Sequence, residues 1–106
     1  MNLMAVALHG VEIPSAEIVR FCERNHIRKL SLFGSILTER FRASSDVDVL
    51  VEFLEGHVPG FLGLAEMELE LGGLFGRKVD LRTPAELSKY FREAVVSSAA
   101  VQYERS

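Results

Sequence analysis

The stretch Leu30-Ser31-Leu32-Phe33-Gly34-Ser35 is separated by ten residues from Asp46-Val47-Asp48-Val49-Leu50-Val51, and this pair of segments decides how the rest of the chain is read. The first half has the pattern of a short strand that stops at a Gly-Ser turn. The second is a strand carrying two carboxylates. Side chains alternate along a strand, so Asp46 and Asp48 point the same way, roughly 6–7 Å apart at Cα, while Val47, Val49 and Val51 point into a core. The combination suggests a phosphate grip beside a metal site.

Length and charge limit what such a site could serve. A chain of 106 residues makes a single domain, 1–106, that buries about two-thirds of its unfolded surface. There is no room for a second substrate domain. Twelve Lys and Arg against fifteen Asp and Glu give a formal charge of −3, so direct nucleic-acid binding, which needs a basic excess, is not expected. The single cysteine, Cys22, excludes an internal disulfide, fits a reducing cytoplasm and is expected to fill the core. The apolar run from Leu3 to Leu8 is short for a signal peptide and follows no basic residue, and no segment approaches a membrane span.

Outward from the central pair, residues 1–10 are expected to be a partly ordered lead-in. Pro14-Ser15 opens a helix whose inner face is Ile18, Phe21 and Cys22 and which ends near Asn25-His26. A strand runs from Ile27 to Phe33, a polar surface connection occupies 36–45, and the carboxylate strand continues to Phe53. Residues 55–60 form a loop. Phe61 to Phe75 alternates in part like a strand, yet it lacks β-branched residues and is rich in strong helix formers. It is read as a helix with Leu64, Met67, Leu71 and Leu74 inward, Leu62, Ala65 and Leu69 beside that stripe, and three glutamates in solvent. A strand spans Arg77 to Leu81. The capping box Thr83-Pro84-Ala85-Glu86 predicts that the last helix starts there, with Leu87, Tyr90, Phe91, Ala94 and Val95 inward. Residues 97–106 are left as an apolar tail able to meet a partner. The fold class is therefore α/β (α+β), a small mixed sheet flanked by helices.

The chemistry follows from residue type. Gly34 permits a sharp turn and close backbone approach, and helix N–H groups starting at Ser35 would face phosphate oxygens. A bare Gly-Ser is also how ordinary strand-to-helix turns are built. Arg40 and Arg42 could neutralise a triphosphate, although loop arginines are as often simply solvated. Two carboxylates on one strand face, joined by Asp80 from a neighbouring strand, repel one another unless cations sit among them. Hard oxygen donors without nearby Cys or His favour Mg²⁺ or Mn²⁺ over zinc, and a pair of such ions can hold a nucleoside triphosphate and its departing pyrophosphate.

The order strand, Gly-Ser, Asp-x-Asp strand, helix, strand with a third Asp resembles the DNA polymerase beta-like nucleotidyltransferase superfamily. More narrowly, it resembles the minimal nucleotidyltransferases that act as antitoxins in prokaryotic HEPN/MNT toxin–antitoxin pairs. The resemblance runs from about Gly10 to Arg105. It is carried by Leu32-Phe33-Gly34-Ser35, Phe41-Arg42, Ser45 to Phe53, Pro59-Gly60-Phe61 and Gly76 to Leu81. It implies ATP as substrate and Mg²⁺ as cofactor, with Gly34 and Ser35 on the β and γ phosphates. Asp46 and Asp48 would be metal ligands and Asp80 the third carboxylate. The implied reaction moves AMP to a hydroxyl, a tyrosine of a partner HEPN ribonuclease toxin. Many relatives carry an arginine three residues after the serine, where this chain has Thr38, and Ala43 stands where a proline is common. Two other roles use the same residues differently. One is a non-catalytic antitoxin that masks its partner by contact. The other is a small-molecule nucleotidyltransferase whose acceptor pocket comes from a homo-oligomer or a second subunit.

Overall fold

A computed structural model describes residues 6–8 and 10–105. The segment expected as a lead-in folds in part: strands β1 (Val6–Leu8) and β2 (Val11–Ile13) form an antiparallel hairpin, with Gly10 at φ 82°. Val11 and Ile13 are buried in the core. The other residues of that segment, Met1 to Ala5 and His9, lie outside the described residues.

Helix α1 (Ser15–Arg24) buries the three side chains expected of it, Ile18, Phe21 and Cys22. Burial of a side chain the size of Phe or Ile contributes about 1.5–3 kcal/mol. Enclosure pushes the Cys22 thiol up to about 12, with a smaller push from Glu23, so it acts as a hydrophobe and not as a nucleophile. Asn25 ends the helix, its side chain donating to the Phe21 carbonyl at 2.9 Å, and His26 turns the chain at φ 55°.

Strands β3 (Ile27–Phe33), β4 (Val47–Phe53), β5 (Val79–Arg82) and β6 (Ala100–Glu104) form one mixed sheet in the order β5-β4-β3-β6. β4 is antiparallel to β3 and parallel to β5. Helix α2 (Phe61–Phe75) has the predicted extent and ends at Gly76 in the left-handed conformation, φ 69°. Leu30, Leu32, Val47, Val49 and Val51 meet α1 and α2 in one hydrophobic cluster, with Leu71 and Phe75 buried and Leu64, Met67 and Leu74 packed against it. Leu62 and Leu69 are instead exposed on the far side of α2. Arg24 of α1 pairs with Glu70 of α2 across the outside of the layer.

Three expectations are corrected. The connection at 36–45 is not all surface, because Ile36 is fully buried. The capping box forms, with Glu86 accepting from the Thr83 N–H at 3.0 Å, but it closes only a single 3-10 turn, Pro84–Glu86. Leu87 is extended, and helix α3 (Lys89–Ser98) starts afresh behind the N-cap Ser88. Arg92 donates to the Pro84 carbonyl at 2.7 Å and the Leu87 carbonyl at 3.1 Å. It thereby satisfies groups that a continuous helix would have bonded internally. No residue of α3 is buried: Tyr90, Phe91 and Ala94, expected inward, are exposed, the first two at 84% and 66%, and Val95 is half-buried. Finally, the apolar tail is not free: β6 pairs antiparallel with β3, Leu30 opposite Tyr103 and Leu32 opposite Ala100, and Tyr103 packs on the core.

Candidate active site

Because the core face of β4 takes Val47, Val49 and Val51, Asp48 must face away from α1 and α2. The parallel register sets Asp80 directly opposite Asp48, and the antiparallel register sets Phe33 opposite it on the other side. In-register neighbours share a face, so Asp48 and Asp80 stand together, with Asp46 two residues earlier, just ahead of β4. The backbone then brings the Gly-Ser turn onto them. Gly34 has φ +76°, and a Cβ there would lie 2.2 Å from Asp48 Oδ2. No other residue type fits without displacing that carboxylate. Residues Gly34–Leu37 make one 3-10 turn. Thr38 Oγ1 donates to the Ser35 carbonyl at 2.9 Å and accepts from the Arg40 N–H at 3.1 Å, which fastens the turn's far end.

Electrostatics mark Asp48 as the strained member. Its pKa lies above the usual carboxylate range, first because it is partly buried and then because Asp80 and Asp46 are near; Arg82 and a backbone hydrogen bond from Ser35 oppose the rise. Asp80 rests on Arg82, whose Nε lies 3.1 Å from Oδ1, and Asp46 lies 3.9 Å from Lys78 Nζ. Among the described residues no three His, Cys, Asp or Glu side chains already surround a common point that could hold a metal. Two of the three carboxylates are turned toward basic partners. By donor chemistry the trio nonetheless fits a hard divalent ion: all the donors are oxygens, and their mutual repulsion is what a cation relieves.

The remaining expected residues divide. Arg40 lines a cavity of about 690 Å³ with Gly34, Ser35 and Thr38 on one side and Ala94, Val95 and Ser98 of α3 on the other. Arg42 is not brought there; its guanidinium donates to the Glu39 carbonyl at 3.0 Å and holds its own loop. Three residues with a part in the site were not singled out from sequence. Arg82 partners Asp80, and the Asp-x-Arg spacing on one strand face was the available signal. Arg77 lies over the Phe41 ring at 4.8 Å and donates to the Ser45 carbonyl at 3.0 Å, anchoring the loop next to Asp46. Glu68, expected in solvent, accepts the Leu81 N–H at 2.8 Å along the outer edge of β5.

The fold and its matches define one class, the nucleotidyltransferases. The chain belongs to the Nucleotidyltransferase domain family, whose sequence profile matches residues 16–101. The protein adenylyltransferase MntA of Thermococcus cleftensis is 35% identical over 74 residues, 70% of this chain and 73% of that protein. Among solved structures, a toxin–antitoxin complex with AMP-PNP superposes with TM-score 0.70 at 19% identity, over 87% of this chain and 74% of the other. The complex of a tri-AMPylated HEPN toxin with its MNT antitoxin, from Shewanella oneidensis, gives TM-score 0.63 at 19% identity, over 86% and 70%. Among the described residues no helix is long and apolar enough to cross a membrane.

Proposed function

We propose that this nucleotidyltransferase is a Mg²⁺-dependent antitoxin that moves AMP from ATP to a tyrosine hydroxyl of a partner HEPN ribonuclease toxin. The observation that carries the reading is the register of Asp48 against Asp80, which gathers negative charge beside the Gly34 turn, and that turn also lines a cavity of about 690 Å³. The adenylyltransferase name of the Thermococcus relative and the AMP-PNP and AMPylated-toxin complexes among the structural neighbours support the choice of nucleotide and acceptor.

In this reading Asp46, Asp48 and Asp80 would hold the metal, which would supply positive charge to the triphosphate and leaving pyrophosphate. Gly34 and Ser35 lend backbone N–H groups to the β and γ phosphates, with Arg40 at the rim. The acceptor oxygen bonds to the α-phosphorus as the bond to the β-phosphate oxygen breaks. Pyrophosphate leaves, and the hydroxyl proton passes to Asp80. Arg82 keeps that carboxylate oriented before substrate arrives.

The test is incubation with α-labelled ATP, Mg²⁺ and the HEPN protein encoded beside this chain. Label is expected on the toxin with the wild type and is lost with Asp46→Asn plus Asp48→Asn. Toxin neutralised equally well by that double variant would replace catalysis with masking by contact.

A further inference from the structure

We infer that the acceptor side chain enters by a second, smaller cavity along the outer edge of β5, and that Phe61 is the residue that positions it; this rests on the transfer reaction proposed above. The cavity, about 260 Å³, lies between the start of α2 and the Pro84–Glu86 turn. Asp80 lines it and does not line the larger cavity beside Gly34. The third carboxylate of the trio is thus the one group of the three shared with this entrance.

Charge separates the roles of the two cavities. The larger is lined by the Gly34-Ser35 turn and Arg40, with no carboxylate among its walls, and suits a polyanion. The smaller carries Glu68, Asp80 and Glu86 against the single cation Arg82, so a triphosphate would be repelled from it. Its remaining walls, Phe61, Leu64, Ala65 and Leu81, are apolar. A small cavity whose lining combines apolar side chains with carboxylates, Asp80 among them, matches a neutral aromatic side chain ending in a hydroxyl. The acidic rim favours basic residues flanking that side chain in its own protein. Phe61, the first residue of α2, is 84% exposed. Its ring does little for the core and is free to lie against an incoming ring, a contact worth a few-fold to tenfold in affinity.

The experiment compares wild type with Phe61→Ala, Phe61→Tyr and Ala65→Phe in steady-state AMP transfer to the HEPN protein encoded beside this chain, varying toxin and ATP separately. Phe61 and Ala65 are exposed, so the fold tolerates both changes. Phe61→Ala is expected to raise the KM for toxin roughly tenfold while the KM for ATP stays put. Phe61→Tyr restores it, and Ala65→Phe, which fills the slot, abolishes transfer while ATP still binds. Transfer at wild-type KM by both Phe61→Ala and Ala65→Phe overturns the acceptor slot and leaves the reaction standing. Absence of transfer by the wild type overturns the reaction and the slot together.

Discussion

Gly34→Ala separates backbone strain from site geometry. The position has φ +76°, and forcing a side chain into this left-handed region costs about 1–2 kcal/mol. The added Cβ would also meet Asp48 Oδ2 at 2.2 Å and Cγ at 3.1 Å. Ordinary contact requires the carboxylate to withdraw by roughly 1 Å, and a displacement of that size at reacting groups costs about 100-fold in rate. Because the obstructed atoms are the far end of a rotatable side chain, the clash is relieved by turning Asp48 and falls on activity more than on folding. Gly56→Ala is the matched control: its φ is +81° and nothing lies within 4 Å of the new Cβ. Both variants are expected to lose on the order of 5–10 °C in Tm. Only Gly34→Ala is expected to lose about two orders of magnitude in AMP transfer, assayed where both proteins are fully folded. Equal activities of the two variants would refute the claim that the Gly34 turn exists to admit the Asp48 carboxylate.

Two further outcomes are expected. The Asp48 carboxyl is held above its ordinary value of 3.8, so the folded state binds that proton more tightly than the unfolded one. Stability is then lost as pH rises from the ordinary value through the raised one. Asp48→Asn should therefore melt higher than wild type at neutral pH without divalent ions, with the gap closing in acid and on adding Mg²⁺; a lower Tm at pH 7 would contradict this. Glu68→Ala should cost about 1 kcal/mol and speed hydrogen exchange at the Leu81 amide, whereas Glu68→Gln, which keeps an acceptor oxygen, should do neither; unchanged Leu81 exchange in Glu68→Ala would remove the edge-capping role.

What could be read without coordinates was local. Leu30 to Phe33 alternates after an irregular start at Ile27 to Lys29, Ile18, Phe21 and Cys22 recur at helical spacing, and Phe61 to Phe75 is bounded by Gly60 and Gly76, so those elements fall where their own residues put them. The Gly-Ser and Asp-x-Asp segments could be quoted as candidates, but the register that joins Asp48 to Asp80 is a property of parallel pairing across more than thirty positions. β6 escaped notice for the same reason: Tyr103 and Ala100 become strand residues only because β3, some seventy positions earlier, offers a free edge. The Thr83 capping box shows the converse limit. A cap determines how a first turn begins and not whether a second follows, and the extended Leu87 ended it. Three-residue strands such as β1 and β2 are too short for periodicity to register.

The bond from Leu81 to Glu68 also governs how the molecule can grow. A bare strand margin is a template on which another chain can polymerise, and β5 has one of its few outward amides taken up by its own helix. β6, at the opposite margin, leaves Val101 exposed and has the Ala100 carbonyl bonded by the Gln102 side chain at 3.1 Å. The Glu68 bond thus leaves the margin that carries Asp80 with one template amide fewer.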